Sequence, residues 1–144
     1  MSLGTNTAPR VILGVVGNDI HSVGNRVLEI GLNEEGFEVC NIGVNQMPED
    51  FVAAALEYDA QAILVSSLNG EGAIWCRDMR ALCRSNGLDE ILLYAGGNLV
   101  VGDTKREHVE ALYQSFGFDA AYHMQSDPDV LYQRLWKDLG YVSN

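Results

Sequence analysis

Positive charge is what this 144-residue chain has least of: nine Lys and Arg face twenty Asp and Glu, for a formal net charge of −11. Phosphate backbones and anionic lipid surfaces are bound by clustered Lys and Arg. The sequence has no such cluster, so neither nucleic acid nor a membrane surface is an expected partner. No apolar run approaches the roughly 20 residues of a membrane span, and no secretory signal pattern is visible. Cysteine is scarce as well. Cys40, Cys76 and Cys83 form an odd set with no CxxC pair, so reduced thiols in a cytoplasmic protein are expected. His108 and His123 lack the paired spacing of zinc ligands. Gly14-x-x-Gly17 is an incomplete dinucleotide fingerprint, no P-loop lysine follows it, and no Gly-x-Ser-x-Gly elbow occurs. Internal repeats, low-complexity tracts and interdomain linkers are also missing.

The composition that remains, 47% hydrophobic and 20% charged, is that of an ordinary globular protein. Residues 1–10 are polar and read as a flexible leader, and residues 11–144 read as a single domain large enough to bury a core.

Apolar runs occur at Val11–Val16, Glu38–Gly43, Ala62–Ser66 and Ile91–Ala95, with a weaker one at Ala120–Tyr122. The first, third and fourth are nearly continuous in apolar residues, as expected of strands covered on both faces. Helical periodicity lies between them. Val23–Glu35 carries Val27, Leu28, Ile30 and Leu32, with Gly36 as a stop. Pro48–Tyr58 opens on Pro48-Glu49-Asp50, and its expected inner face is Phe51, Ala54, Ala55 and Tyr58. Glu71–Asn86 repeats Ile74, Met79 and Leu82, and Cys76 and Cys83 could share its inner face. Lys105–Phe116 carries Val109, Leu112 and Phe116. Asp127-Pro128 opens a last helix with Val130, Leu131, Leu135 and Leu139 inward. Five rounds of strand and helix predict an α/β fold, a doubly wound five-stranded parallel sheet of flavodoxin-like (Rossmann-like) type with strand order 2-1-3-4-5.

Three segments fall at the carboxyl ends of the predicted strands, where open parallel sheets bind ligands. They are Asp19-x-His21-x-x-Gly24, Ser66-x-Leu68 and Gly96-Gly97. In an extended segment Asp19 and His21 point the same way. Asp19 can therefore accept a hydrogen bond from Nδ1–H of His21 and leave Nε2 as an electron-pair donor. A carboxylate behind a histidine is a common arrangement around a metal-bound imidazole. Gly24, Gly96 and Gly97 omit side chains where a bulky ligand would need room, and Ser66 supplies a hydroxyl. Taken singly, each segment also fits a helix cap or a tight turn. A Ser/His/Asp hydrolase using Ser66 or Ser67 is an alternative, although no oxyanion motif accompanies it.

Taken together, the three segments match the cobalamin-binding signature Asp-x-His-x-x-Gly, Ser-x-Leu, Gly-Gly in order and spacing. From Val11 to Gly117 the chain resembles the small subunits of glutamate mutase, most clearly at Val11–Asn25, Asn41–Val44, Val65–Gly72 and Gly96–Gly102. The resemblance implies adenosylcobalamin as cofactor, with His21 as the lower axial ligand of cobalt and Asp19 behind it. Asn18, Ile20 and Ser22 would flank that pair. Ser66 would contact the displaced dimethylbenzimidazole, Ser67 would lie beside it and Leu68 would line the wall. Gly24, Gly96 and Gly97 would make room for the nucleotide tail, and Asn98, Leu99, Val100, Val101 and Gly102 would run along its phosphoribosyl part. The implied reaction is radical interconversion of (S)-glutamate and methylaspartate, performed with a separate large subunit in a heterotetramer of two small and two large chains. Little turnover is expected from this chain alone. Alternatives are a corrinoid methyl carrier, the cobalamin subunit of another carbon-skeleton mutase, and a cofactor-free flavodoxin-like interaction domain.

Overall fold

The structure, a computed structural model, describes residues 8–17, 23–102, 104–124 and 127–140. The elements follow one another as β1 (Arg10–Val16), α1 (Val23–Glu34), β2 (Glu38–Gln46), α2 (Pro48–Tyr58) and β3 (Ala62–Ser67). Then come α3 (Gly72–Cys76), α4 (Met79–Ser85), β4 (Leu92–Gly97), α5 (Arg106–Ser115), β5 (Ala120–His123) and α6 (Asp129–Asp138). The strands form one parallel sheet in the order β2-β1-β3-β4-β5. This is the expected doubly wound topology.

Successive strand residues point to opposite faces, and the core divides accordingly. Ile12, Ile63, Val65, Leu93 and Ala95 face α2 to α5, where Phe51, Met79, Cys83, Val109 and Tyr113 are buried. Val11, Leu13, Leu64 and Tyr94 face α1 and α6, where Leu32, Leu131, Tyr132 and Leu135 are buried. At the start of α2, Pro48 supplies a preset φ and no amide donor. The Asp50 carboxylate accepts a hydrogen bond from the Met47 amide at 2.8 Å.

The structure corrects several helix faces. The expected helix 71–86 is interrupted at Arg77 and Asp78, where Asp78 adopts φ −106 and ψ 11. Ile74 is 64% exposed, while Cys76, Met79 and Cys83 carry the packing. On α1, Val27 is 63% exposed and Ile30 is also exposed. The inward line is Asn25, Leu28 and Leu32. Tyr58, Leu112 and Val130 are likewise exposed, and Val52, Tyr113 and Tyr132 are buried instead. In each case two apolar lines share one helix, and the neighbouring element decides which is covered. Tyr132, for example, brings its hydroxyl against the backbone of Gly31 on α1.

A slot at the carboxyl edge of the sheet

The two faces continue to the carboxyl ends of the strands, and there they diverge. Parallel register places Ser66 beside Gly96, and Gly96 beside Tyr122. This row belongs to the α1/α6 face. It forms the floor of a cavity of about 290 Å³, bounded by Gly24, Val27 and Leu28 of α1 and by Leu68. Asp127, Pro128, Leu131 and Tyr132 close it from the α6 side. The next row, Ser67, Gly97 and His123, belongs to the other face. The Ser67 hydroxyl is fully buried and donates to the carbonyl of Asn98 at 3.0 Å. Alternation along β3 thus gives adjacent serines different work.

The paired glycines divide in the same way. A Cβ on Gly96 would meet nothing nearer than the Tyr122 carbonyl oxygen at 3.8 Å, so the space there is free of protein. A Cβ on Gly97 would lie 2.4 Å from the Ser67 carbonyl oxygen, on a backbone with φ +105. Gly97 is required by the turn, whereas Gly96 leaves volume in the slot. Gly24 also leaves volume, with only Leu68 within van der Waals reach.

The slot is mostly apolar, with few polar groups. Ser66 is 7% exposed, and its hydroxyl donates to Asn25 Oδ1 at 3.4 Å. Burial is the main cause raising the pKa of Tyr122, and likewise that of Tyr132, so both phenols stay protonated. Among the described residues, no Lys or Arg lines the slot. Beyond it, Asn98 and Gly102 border a second cavity of about 390 Å³ with Arg106 and His123. Burial first, and the Arg106 charge second, lower the pKa of His123. The neutral ring accepts the Leu99 amide at Nδ1, 3.1 Å away.

Of the residues singled out in the sequence, the structure brings together Gly24, Ser66, Leu68, Gly96 and Gly97. Ser67 and Leu99 turn into the core, Val100 is half-buried, and Val101 is exposed. Asn18, Asp19, Ile20, His21 and Ser22 lie outside the described residues. The α6 wall was not anticipated as part of a site: Asp127-Pro128 read only as a helix start. Among the described residues, no cluster of His, Cys, Asp and Glu could hold a metal ion by itself. No described helix is long and apolar enough to cross a membrane.

A doubly wound sheet with an apolar slot at its carboxyl edge suits a binding domain. The class is that of the B12 binding domain, whose family model matches residues 9–121. The glutamate mutase sigma subunit of Carboxydothermus hydrogenoformans is 46% identical over 132 residues, which cover 92% of this chain and 96% of that protein. The glutamate mutase sigma subunit of Treponema denticola is 49% identical over 113 residues, covering 78% of this chain and 81% of that protein. The chain belongs to the glutamate mutase sigma subunit family. A crystal structure of a cobalamin-binding protein from Desulfitobacterium hafniense DCB-2 shares the fold, with a TM-score of 0.75 at 18% identity. The match covers 93% of this chain and 60% of that one.

Proposed function

We propose that this chain is the cobalamin-binding subunit of a glutamate mutase, an isomerase component that works with a separate catalytic large subunit. The observation that carries the reading is the slot. Small-molecule pockets typically measure about 300–1,000 Å³, and this one, about 290 Å³, sits at the low end. It suits a flat bicyclic base and is too small for a corrin. The slot would therefore hold the nucleotide tail rather than the corrin.

Each residue then has a task. Gly96 and Gly24 keep the slot open, and Leu68, Val27 and Leu131 supply apolar walls. The Ser66 hydroxyl meets the base. His21 would hold the cobalt of the cofactor, with Asp19 behind it and Asn18, Ile20 and Ser22 beside the pair in the sequence. Asn98, Val100, Val101 and Gly102 run beside the phosphoribosyl part. Ser67, Gly97 and Leu99 shape that edge from within the fold.

Bound adenosylcobalamin supplies the radical chemistry, while this chain binds and orients. Among the described residues the slot offers no cation for a dicarboxylate substrate, which supports recognition of (S)-glutamate by the large subunit. Assembly is a heterotetramer of two small and two large chains, the setting is cytoplasmic, and residues 11–144 act as one domain. The test is anaerobic titration with adenosylcobalamin and a glutamate mutase large subunit, followed by a methylaspartate assay. Product is expected only with both chains present. His21→Gly should weaken cofactor binding and sharply reduce turnover. Wild-type behaviour of that variant in both assays would remove the axial role.

A further inference from the structure

Hydrogen-bond donors without acceptors gather at the β5 end of the carboxyl edge. The cavity of about 390 Å³ beyond the slot is lined by Asn98, Gly102, Thr104, Arg106, His123 and Met124. No acidic side chain is among these described residues, in a chain whose formal net charge is −11.

His123 is only 6% exposed. Its Nδ1 accepts the Leu99 amide at 3.1 Å, so the one proton of the neutral ring sits on Nε2. No described residue accepts from Nε2. Among the described residues only the Trp75 indole nitrogen is sealed off without a partner, so Nε2 opens onto the cavity that His123 lines. Arg106, the first residue of α5, donates from Nε to the His123 carbonyl and from Nη2 to the Met124 carbonyl, both at 3.0 Å. These bonds fix the guanidinium across the end of β5. Arginine carries five N–H donors, so both donors of Nη1 are still free. The Thr104 hydroxyl and the Asn98 side chain make no hydrogen bond to a described residue.

A cation would be repelled by Arg106, and an apolar group would leave the donors unpaired. An oxyanion satisfies them. The donors come from β5, from the start of α5 and from the segment between β4 and α5, so a tetrahedral oxyanion matches them better than a planar one. We propose that Arg106 and His123 form the core of a phosphate-binding site, completed by Thr104 and Asn98. Two sources carry this chemistry: the phosphodiester of the nucleotide tail and free inorganic phosphate. Gly97 lines the slot, and Asn98, the next residue, lines this cavity. As a subsite for the tail the cavity rests on the cobalamin reading, whereas as an oxyanion site it stands without it.

The first probe is inorganic phosphate, titrated into the full chain at constant ionic strength. Nitrogen-15 shifts of the His123 ring and of the Leu99 amide report binding. Saturable shifts are expected in wild type. Arg106→Gln should weaken them at least about tenfold, the scale of a charge-assisted hydrogen bond. Thr104→Val alters only an exposed hydroxyl and serves where Arg106→Gln does not fold. It should weaken phosphate about three- to fivefold. Absent shifts in wild type, or equal affinities in wild type and variants, would overturn the site.

Calorimetry with α-ribazole and α-ribazole phosphate then separates the sources. If the tail supplies the phosphate, that group should raise affinity about tenfold or more in wild type and less than about threefold in Arg106→Gln. An equal gain in both proteins, with inorganic phosphate still bound beside α-ribazole, would assign the site to free phosphate. A chain that binds inorganic phosphate but neither α-ribazole compound keeps the site and loses the cobalamin reading. A chain that binds α-ribazole phosphate equally in wild type and variants, and ignores inorganic phosphate, keeps that reading and loses the site.

Discussion

The two faces of this sheet are packed to different standards. Against α2 to α5, large side chains such as Phe51, Met79, Leu93 and Tyr113 are fully buried right up to the strand ends. Against α1 and α6 the packing is similar in the lower half, where Leu13, Leu32 and Leu135 meet. It then stops at the row Ser66, Gly96 and Tyr122, where a slot opens. One face spends its apolar residues on stability, and the other withholds them from one row and gains a binding site. Close packing is the default of protein interiors, so an apolar slot left open over Ser66 and Gly96 points to a ligand.

The comparison can be broken most directly by paired truncations. Phe51→Ala on the filled face should cost about 3–5 kcal/mol, because its surroundings can collapse only partly. Leu131→Ala, on the slot wall, should cost near the lower limit of about 2 kcal/mol, since its side chain already borders open volume. Urea unfolding with unchanged m-values would measure both. Equal costs would mean that the two faces are packed alike.

The neighbouring glycines sharpen the contrast. Gly97→Ala meets the Ser67 carbonyl oxygen at 2.4 Å on a positive-φ backbone, so a loss of at least about 1–3 kcal/mol of stability is expected. Gly96→Leu has open space and should change stability by less than about 1 kcal/mol, while abolishing binding of the tail nucleotide. A Gly96→Leu protein that unfolds, or that still binds the nucleotide, would contradict the division of labour between the two glycines.

His123 gives the filled face a pH dependence. Its folded pKa lies below the ordinary histidine value because burial and Arg106 disfavour the charged ring. The unfolded chain therefore takes up its proton first as pH falls through about 6.5. Stability from this residue is complete above that pH and declines below it toward the folded pKa. Protonation would also cost Nδ1 its bond from the Leu99 amide. Thermal unfolding of wild type and His123→Gln across pH 5–8 should show a smaller loss at low pH in the variant. Parallel curves would separate His123 from the acid response.

Much of this was legible in the chain. Apolar runs placed all five strands to within a few residues, most plainly β1, β3 and β4, because strands buried on both faces leave no alternation to misread. Gly24, Ser66-x-Leu68 and Gly96-Gly97 fell on the carboxyl edge because strand ends must gather there. Helix faces were harder. Val23, Val27 and Ile30 on α1 are as apolar as Leu28 and Leu32, and only the position of β1 and α6 decides between them. The site was half legible: Ser66 and Gly96 stood out, but Leu131 and Tyr132 come from a helix 35 or more residues further along the chain. Asn25 carried no signal, since its burial rests on hydrogen bonds with Asn41 and Ser66, which only the fold brings within reach. The His21 segment lies outside the described residues, so its part rests on the motif and the family.

The filled face also holds one flaw, and it is the subtlest test. Trp75 packs at the upper rim of that core with its indole nitrogen buried and without a hydrogen-bond partner among the described residues. The ring lies against Gly17, where even a Cβ would come within 2.6 Å of its Cδ1. An unsatisfied buried donor costs about 1–3 kcal/mol, and Trp75→Phe removes it. The smaller ring also gives up part of its packing, a loss of similar size. The two effects should nearly cancel, leaving stability within about 1 kcal/mol of wild type by urea midpoint at constant m-value. A drop well beyond about 2 kcal/mol would exceed the packing loss. It would mean that the indole N–H is satisfied in solution, and that the rim of the filled face has a polar partner of its own.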